Sequence, residues 1–365
     1  MVEWLGSWRR RPQAELRLGL RSVVAGVITF ALGHVLGLPQ VYWAVLTTVV
    51  VMQSSVGASL KATLDRLGGT LGGAVWGVVV SVAIPHAGIV SLGMALAVAL
   101  VPLTLLAAFR PAYGVAPVTA IIVLLGSQSQ QTGPVKFGVD RILEIGLGCL
   151  VTLVVALFVL PVRAHGLLAE AAGRALDVMA EHIVTLLEGL AAAPDPVVLE
   201  QLRNRSRDAV GRVEAVAAEA VRERAHHLTG APDPGPLVRT LRRLRNDLTM
   251  VDRAMIEPLS EPVRSRLAGP AARASAEIST FLRTAHGALV ARTSPPSLDS
   301  VAQALDDYAA AMAEVRRLGL THELSGEAVD RIFGLAFALE QLGANFKDLA
   351  DRVCELGVQP EPMRR

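Results

Sequence analysis

The sequence predicts an all-α membrane protein, in which a six-span transmembrane helical bundle is followed by a C-terminal cytoplasmic helical bundle. Hydrophobic residues make up 52% of the chain and charged residues 19%, with a mean hydropathy of +0.45, which is more apolar than a typical soluble protein. The charges are unevenly distributed, because residues 1–163 hold only 11 of the 35 Lys and Arg and 5 of the 33 Asp and Glu. Residues 164–365 have helical periodicity throughout and no strand pattern.

The transmembrane domain, residues 1–163, contains uncharged runs that are long enough for six helices, since a bilayer core requires about 20 apolar residues per helix. The run 22–60 holds two spans separated by Gly37-Leu38-Pro39-Gln40, and 67–109 holds two more separated by Pro85-His86-Ala87-Gly88. A fifth span follows Pro111, and the sixth contains one acid, Glu144. The predicted helices are 18–36, 41–56, 67–84, 88–109, 113–130 and 142–162.

The orientation follows from Lys and Arg, which are concentrated in short cytoplasmic loops. A cytoplasmic N-terminus places eight of these residues inside and leaves only Lys136 and Arg141 outside. With an even number of spans, the C-terminus and the domain 164–365 are also predicted to be cytoplasmic. The lipid bilayer is therefore the first expected partner.

The transmembrane domain also resembles itself at an offset of about 72–75 residues, typical of the internal repeats of secondary transporters. Pro39, Thr47 and Ser55 recur as Pro111, Thr119 and Ser127, and Asp65-Arg66 recurs as Asp140-Arg141. Because each repeat has three spans, the second enters the membrane inverted. We expect a 3+3 inverted repeat with Arg66 and Arg141 at helix N-termini on opposite membrane faces.

Arg66 and Arg141 are candidates for a substrate pathway, because a guanidinium is a planar fork suited to carboxylates and a helix N-terminus carries partial positive charge. The alternative is that Asp65 and Asp140 are N-caps while the arginines extend to lipid headgroups. Glu144 is a candidate for carrying a coupling proton, since carboxylates within spans are costly. Its alternative role is an ion pair with Arg141 at i, i+3.

Uncharged polar side chains supply further candidates for the pathway, namely Gln53, Thr47 and Thr119. Gly69, Gly73 and Gly77 are spaced as in helices that pack closely in membranes, and packing is their expected role. Arg21, one turn into the first span, either extends to the cytoplasmic face or lines a pore.

Several other functional classes lack support in the sequence. Cys149 and Cys354 lie in different halves, which excludes a disulfide framework and a cysteine-based metal site. No basic cluster is interleaved with aromatic residues, so nucleic-acid binding is not expected. Residues 164–365 contain no phosphate-binding glycine loop, HExxH or nucleophile elbow. We therefore expect no enzyme activity, no cofactor and no metal.

Two parts of the chain resemble a known family. The segment 39–53, PQVYWAVLTTVVVMQ, followed by RLGGTLGG at 66–73, resembles the signature of the fusaric acid resistance and aromatic acid exporter family, which is similar to the plant aluminium-activated malate transporters. The segment 237–254 resembles the soluble region of that family. The resemblance implies a protein of the bacterial plasma (inner) membrane. Many members have two six-span sets whereas this chain has one, which implies a homodimer.

The resemblance implies export of small organic anions, aromatic carboxylates among them, with possible proton coupling. A passive anion channel, as in the plant relatives, is one alternative. A non-transporting membrane scaffold whose cytoplasmic helices recruit partners is another.

Overall fold

The structure is a computed structural model of the chain. It describes residues 12–84, 88–129, 133–159, 164–190, 194–226, 230–255, 259–322 and 324–357. These residues are 87% helical and form 12 α-helices and no β-strand. The all-α class predicted from the sequence is thereby confirmed.

The chain divides into two compact units, residues 1–163 and residues 164–365. We call them the membrane unit and the C-terminal unit. The membrane unit contains α1 (Pro12–Val35), α2 (Val41–Val51), α3 (Val56–Ala83), α4 (Ile89–Phe109), a short 3-10 helix (Pro111–Tyr113), α5 (Ala116–Ser129) and α6 (Pro134–Phe158). Within it, α3 packs against α5 and α6, and α2 packs against α1 and α6.

Four of the six α-helices in the membrane unit are long and apolar enough to cross a bilayer, namely α1, α3, α4 and α6. The other two are shorter than the sequence predicted, with 11 residues in α2 and 14 in α5. At 1.5 Å per residue these helices are roughly 16 and 21 Å long, against a hydrocarbon core of about 30 Å. By length and composition, four of the described helices are candidate spans, and the six-span arrangement stays a prediction.

The short helices have local causes. Met52 has an extended conformation (φ −66°, ψ 120°) that ends α2, and the Ser55 hydroxyl caps α3 by accepting from the Ala58 N–H at 3.0 Å. The polar segment 53–55, predicted as part of the second span, is therefore a connection between helices. Similarly, the 3-10 helix Pro111–Tyr113 delays the start of α5.

Two other helices are longer than predicted. Helix α3 begins at Val56 rather than at 67, and α6 begins at Pro134 rather than at 142. Asp65-Arg66 and Asp140-Arg141 consequently lie inside helices, so neither aspartate is an N-cap and neither arginine is at a helix N-terminus. The prediction treated charged residues as loop, but Lys61 and Asp65 form an i, i+4 ion pair of 2.5 Å within α3.

The C-terminal unit contains α7 (Ala164–Glu188), α8 (Pro196–Ala225), α9 (Gly235–Ala254), α10 (Glu261–Ala291), α11 (Asp299–Arg317) and α12 (Gly326–Gly357). Helix α7 packs against α8 and α10, α9 packs against α12, and α10 packs against α11. Their apolar faces form one core that includes Leu176, Ile183, Leu241, Leu282 and Phe346. At the start of α7, the Ala164 N–H donates to both carboxylate oxygens of the buried Glu223, which satisfies a free donor of the first turn.

Candidate functional site

A polar stripe runs along one face of α3 in the membrane unit. Thr63, Arg66 and Thr70 are spaced at i, i+3 and i+7, which places them on the same side of the helix. Thr63 and Thr70 are buried, and their hydroxyls have no hydrogen-bond partner among the described residues. The Arg66 Nε atom is likewise buried without a partner. Buried polar groups are usually satisfied, so this stripe has unused hydrogen-bonding capacity.

The charge of Arg66 is not neutralised by a neighbouring carboxylate in the described part of the chain. The adjacent carboxylate of Asp65 pairs with Lys61 instead. Asp65 is also next to Arg66 in sequence, and adjacent residues do not face each other on a helix. Arg66 is therefore a partly buried cation that retains the capacity to bind an anion.

Arg141, in contrast, is enclosed by partners. Its Nη1 atom lies 3.3 Å from Glu144 Oε2, and both side chains are only 2% exposed. Its Nη2 atom donates to Gln40 Oε1 at 3.2 Å, and the guanidinium lies over the Trp43 ring, 4.3 Å from the centroid. Ion pairing, hydrogen bonding and cation–π contact together compensate the charge of Arg141.

Glu144 is held by the same group of residues. Its Oε1 atom accepts from the backbone N–H of Gln40 at 2.9 Å, and the Tyr42 hydroxyl donates to Gln40 Oε1 at 3.0 Å. The cavity beside Arg141 and Glu144 has a volume of about 10 Å³, which is room for about one water molecule. An additional ligand at Arg141 would therefore have to replace Glu144.

The two arginines are closer together than the sequence predicted. Helices α3 and α6 are antiparallel, because Leu67 packs against the cluster of Val51, Ile145 and Cys149, whereas Val78 lies against Gly138. In this register Arg66 is level with about residue 150 of α6, so Arg66 and Arg141 are about nine residues, roughly 13 Å, apart along the helix axes. The two arginines therefore do not lie at opposite ends of the membrane unit. The prediction had placed them at helix N-termini on opposite membrane faces.

Two glycines in the membrane unit make matching close contacts. A Cβ atom added at Gly73 on α3 would lie 2.3 Å from the Ala116 carbonyl oxygen, and one added at Gly148 on α6 would lie 2.4 Å from the Ala44 carbonyl oxygen. The next nearest residue to the added Cβ atom is Thr119 at Gly73 and Thr47 at Gly148. The two sets of residues differ by the offset of about 72–75 positions noted in the sequence.

The remaining candidate residues lie at helix contacts. Gly69 and Gly77, like Gly73, lie against α5. Thr47 is buried and its hydroxyl has no partner among the described residues, whereas the Thr119 hydroxyl donates at 3.2 Å to the carbonyl of Val115, just before α5. The Gln53 side chain donates to the Val50 carbonyl at 3.1 Å. It therefore caps the end of α2 and makes no hydrogen bond to Arg66.

Sequence reasoning missed several participants. Gln40, which the sequence predicts only as part of a turn, and Trp43 enclose Arg141. Thr63 and Thr70 were overlooked, although their spacing from Arg66 is the signal that could have found them. Arg21 is fully buried, and all three of its guanidinium nitrogens lack hydrogen-bond partners among the described residues.

The comparisons with known proteins identify a family for this chain. A search of curated proteins finds no match to the chain. The sequence model of the fusaric acid resistance protein family, however, matches residues 15–361, nearly the whole chain. The resemblance noted in the sequence is thereby confirmed. With apolar helices long enough to cross a bilayer and this nearly complete match, the chain belongs to the fusaric acid resistance protein family, a family of membrane transport proteins.

Proposed function

We propose that this protein exports organic carboxylate anions, aromatic acids in particular, across the bacterial inner membrane in a proton-coupled cycle. The observation that carries this proposal is the uncompensated charge of Arg66 beside the unpartnered hydroxyls of Thr63 and Thr70. Burying a cation and hydroxyl donors without partners costs free energy. A carboxylate supplies one negative charge and several acceptor lone pairs, so an anion bound at Arg66 would pair with the guanidinium and with one of the two hydroxyls, which lie about 10 Å apart along the helix axis.

Glu144 and Arg141 provide the means of proton coupling in this proposal. While Glu144 is ionised, it occupies the guanidinium of Arg141. When Glu144 accepts a proton, this ion pair loses its attraction, and Arg141 becomes free to bind the carboxylate of a substrate. Binding of the substrate and of the proton would then be coupled, because the substrate carboxylate supplies the negative charge that Glu144 loses when it is protonated.

The same proposal includes the arrangement in the membrane. The matching contacts of Gly73 and Gly148 support two repeats that pack reciprocally, α3 on α5 and α6 on α2. The distribution of Lys and Arg supports cytoplasmic N- and C-termini. The short helices α2 and α5 would cross only part of the bilayer as helix, and the connections that flank them would complete the six passes. A single set of six helices per chain is consistent with a homodimer.

The test is flux of labelled fusaric acid, an aromatic carboxylic acid, in proteoliposomes that contain the full chain. Arg66→Gln removes the proposed anion contact, and the exposed Arg110→Gln is the matched control. Loss of a charge-assisted hydrogen bond of about 1.5–3 kcal/mol predicts a fall in flux of at least about tenfold for Arg66→Gln. Arg110→Gln should transport as the unmodified protein does.

The outcomes separate the competing functions. Accumulation against a gradient when a proton gradient is imposed supports proton-coupled export. Flux that only follows the anion gradient would instead identify a channel. Equal flux in both arginine variants would remove Arg66 from the pathway, and the absence of flux in every preparation would favour the scaffold hypothesis.

A further inference from the structure

The C-terminal unit contains a groove of about 790 Å³ between α11 and α12. One face of each helix lines it, from Leu298 to Arg316 on α11 and from Phe333 to Lys347 on α12. The volume lies within the range of about 300–1,000 Å³ typical of small-molecule pockets. The sequence analysis assigned no role to these residues.

One end of the groove is aromatic and open. Phe333 and Phe337 are spaced at i, i+4 on α12, so they adjoin on one face, and they are 37% and 55% exposed. Met312 and Ala336 line the same part of the groove. Large apolar side chains exposed side by side in a highly charged helical unit indicate a surface that binds an apolar group.

The same end carries an available cation. The Arg316 guanidinium lies 4.5 Å from the centroid of the Phe333 ring, and Arg316 makes no ion pair within the described part of the chain. Stacking on a ring leaves the N–H edge of a guanidinium free for a carboxylate. The neighbouring Arg317 differs, because it pairs with Glu314 at 3.5 Å.

The wall of the groove contains an unsatisfied hydroxyl. Tyr308 lines the groove and is 2% exposed, yet its hydroxyl has no hydrogen-bond partner among the described residues. Burial raises the pKa of Tyr308, so the hydroxyl stays protonated and remains a donor. A buried hydroxyl without a partner costs about 1–3 kcal/mol, but Tyr308 is eight residues, about 12 Å along the axis of α11, from Arg316, so the hydroxyl and the guanidinium do not form one anion site.

Two acidic residues also line the groove, and they are farther from the cation. Glu340 is seven residues beyond Phe333 on α12, about 10 Å along the helix axis. Asp306 is ten residues before Arg316 on α11, about 15 Å along the axis. Because Glu340 is only three residues beyond Phe337, Arg316 sets the electrostatic character of the groove at Phe333 and not along its whole length.

We propose that this groove binds an aromatic organic acid, with its ring on Phe333 and Phe337 and its carboxylate on Arg316. The choice of ligand class rests in part on the proposed function, because it gives the exported class of compound a second site in the C-terminal unit. The site is defined by residues of this unit alone. Binding here can consequently be measured separately from transport.

The test is hydrogen–deuterium exchange of the full chain in lipid nanodiscs, with 2-naphthoate as the probe and uncharged 2-naphthamide as its isostere. 2-Naphthoate should slow exchange in peptides from Asp299–Arg317 and Gly326–Gly357, and the amide should not. Arg316→Gln should raise the 2-naphthoate concentration for half-maximal protection at least about tenfold, as expected for loss of a charge-assisted hydrogen bond. Arg317→Gln is the matched control and should bind normally.

Several results would overturn the assignment. Absence of protection at saturating 2-naphthoate, equal protection by acid and amide, or unchanged binding by Arg316→Gln would each do so. Fusaric acid flux measured on the same preparations separates the two proposals. Normal flux without protection of α11 and α12 contradicts only the groove, whereas protection without flux contradicts only the transport function.

Discussion

Arg141 and Glu144 form an ion pair of 3.3 Å in which both side chains are 2% exposed. The pair joins two distant parts of the sequence, because Gln40, before α2, donates its backbone N–H to Glu144 and accepts from Arg141 through its side chain. Trp43 covers the guanidinium at 4.3 Å. The start of α2 and the first half of α6 are thus connected through one charged cluster.

Breaking this ion pair should destabilise the membrane unit. Glu144→Gln leaves the buried Arg141 without a counter-ion, and Arg141→Gln leaves Glu144 in the same state. Each single change should cost about 3–5 kcal/mol, whereas the double variant should cost less than the sum because no charge remains unpaired. All four tryptophans lie in the membrane unit, so thermal unfolding followed by tryptophan fluorescence reports on it. Additive losses would show that the two charges are independent.

The glycine contacts lead to a second prediction. Gly73→Ala and Gly148→Ala should each lower the melting temperature, because the added Cβ would lie within 2.4 Å of a backbone carbonyl oxygen. Overpacking of this kind costs roughly 1–3 kcal/mol. Gly72→Ala and Gly146→Ala are matched controls with no heavy atom within 4 Å of the added Cβ, and alanine favours a helix over glycine. If all four variants melted alike, close helix packing at Gly73 and Gly148 would be excluded.

Local spacing predicted part of this structure well. The helical class followed from the apolar runs and periodicity, and the Arg141–Glu144 contact followed from their i, i+3 spacing. Charged positions misled the prediction of helix limits, because a single ion pair between Lys61 and Asp65 allows α3 to continue through them. Hydropathy also cannot distinguish a span from a short helix followed by a connection, which is the case at 41–55.

Contacts between distant residues were not predictable in the same way. The bond between Gln40 and Glu144 joins residues more than one hundred positions apart and depends on how α2 packs against α6. Likewise, the sequence predicted Arg66 and Arg141 on opposite membrane faces, because both were expected at helix N-termini. In the structure both arginines lie inside helices. The unsatisfied Tyr308 hydroxyl and the free Arg316 become visible only when α11 and α12 are placed side by side.

A third prediction concerns Gly173 in the C-terminal unit. A Cβ atom at this position would lie 2.1 Å from the His286 ring, and His286 itself pairs with Asp177 at 2.8 Å. Gly173→Ala should therefore displace His286 and destabilise the contact between α7 and α10 by roughly 1–3 kcal/mol. Faster hydrogen–deuterium exchange in both helices is the expected measurement. Gly166→Ala, on the same helix with open space around it, should leave exchange unchanged.

The last prediction concerns pH and the buried His182. Burial lowers the pKa of His182 from its ordinary value of 6.5, and Arg203 acts in the same direction, whereas Asp252 and Glu181 oppose it. The unfolded chain therefore binds this proton at a higher pH than the folded chain does. Above about pH 6.5, His182 is neutral in both states and does not change the free energy of unfolding. Below that pH the free energy of unfolding should fall, by at most about 1.4 kcal/mol per pH unit for one proton.

Pulse proteolysis of the full chain in urea, repeated between pH 8 and pH 5, measures this dependence. His182→Gln cannot take up the proton, so its urea midpoint should fall less steeply with acidification than that of the unmodified chain. His165, whose pKa burial also lowers, should leave some slope in the variant. The exposed His322→Gln is the matched control and should retain the full slope. Identical slopes in both variants would mean that the proton taken up on unfolding belongs to another group.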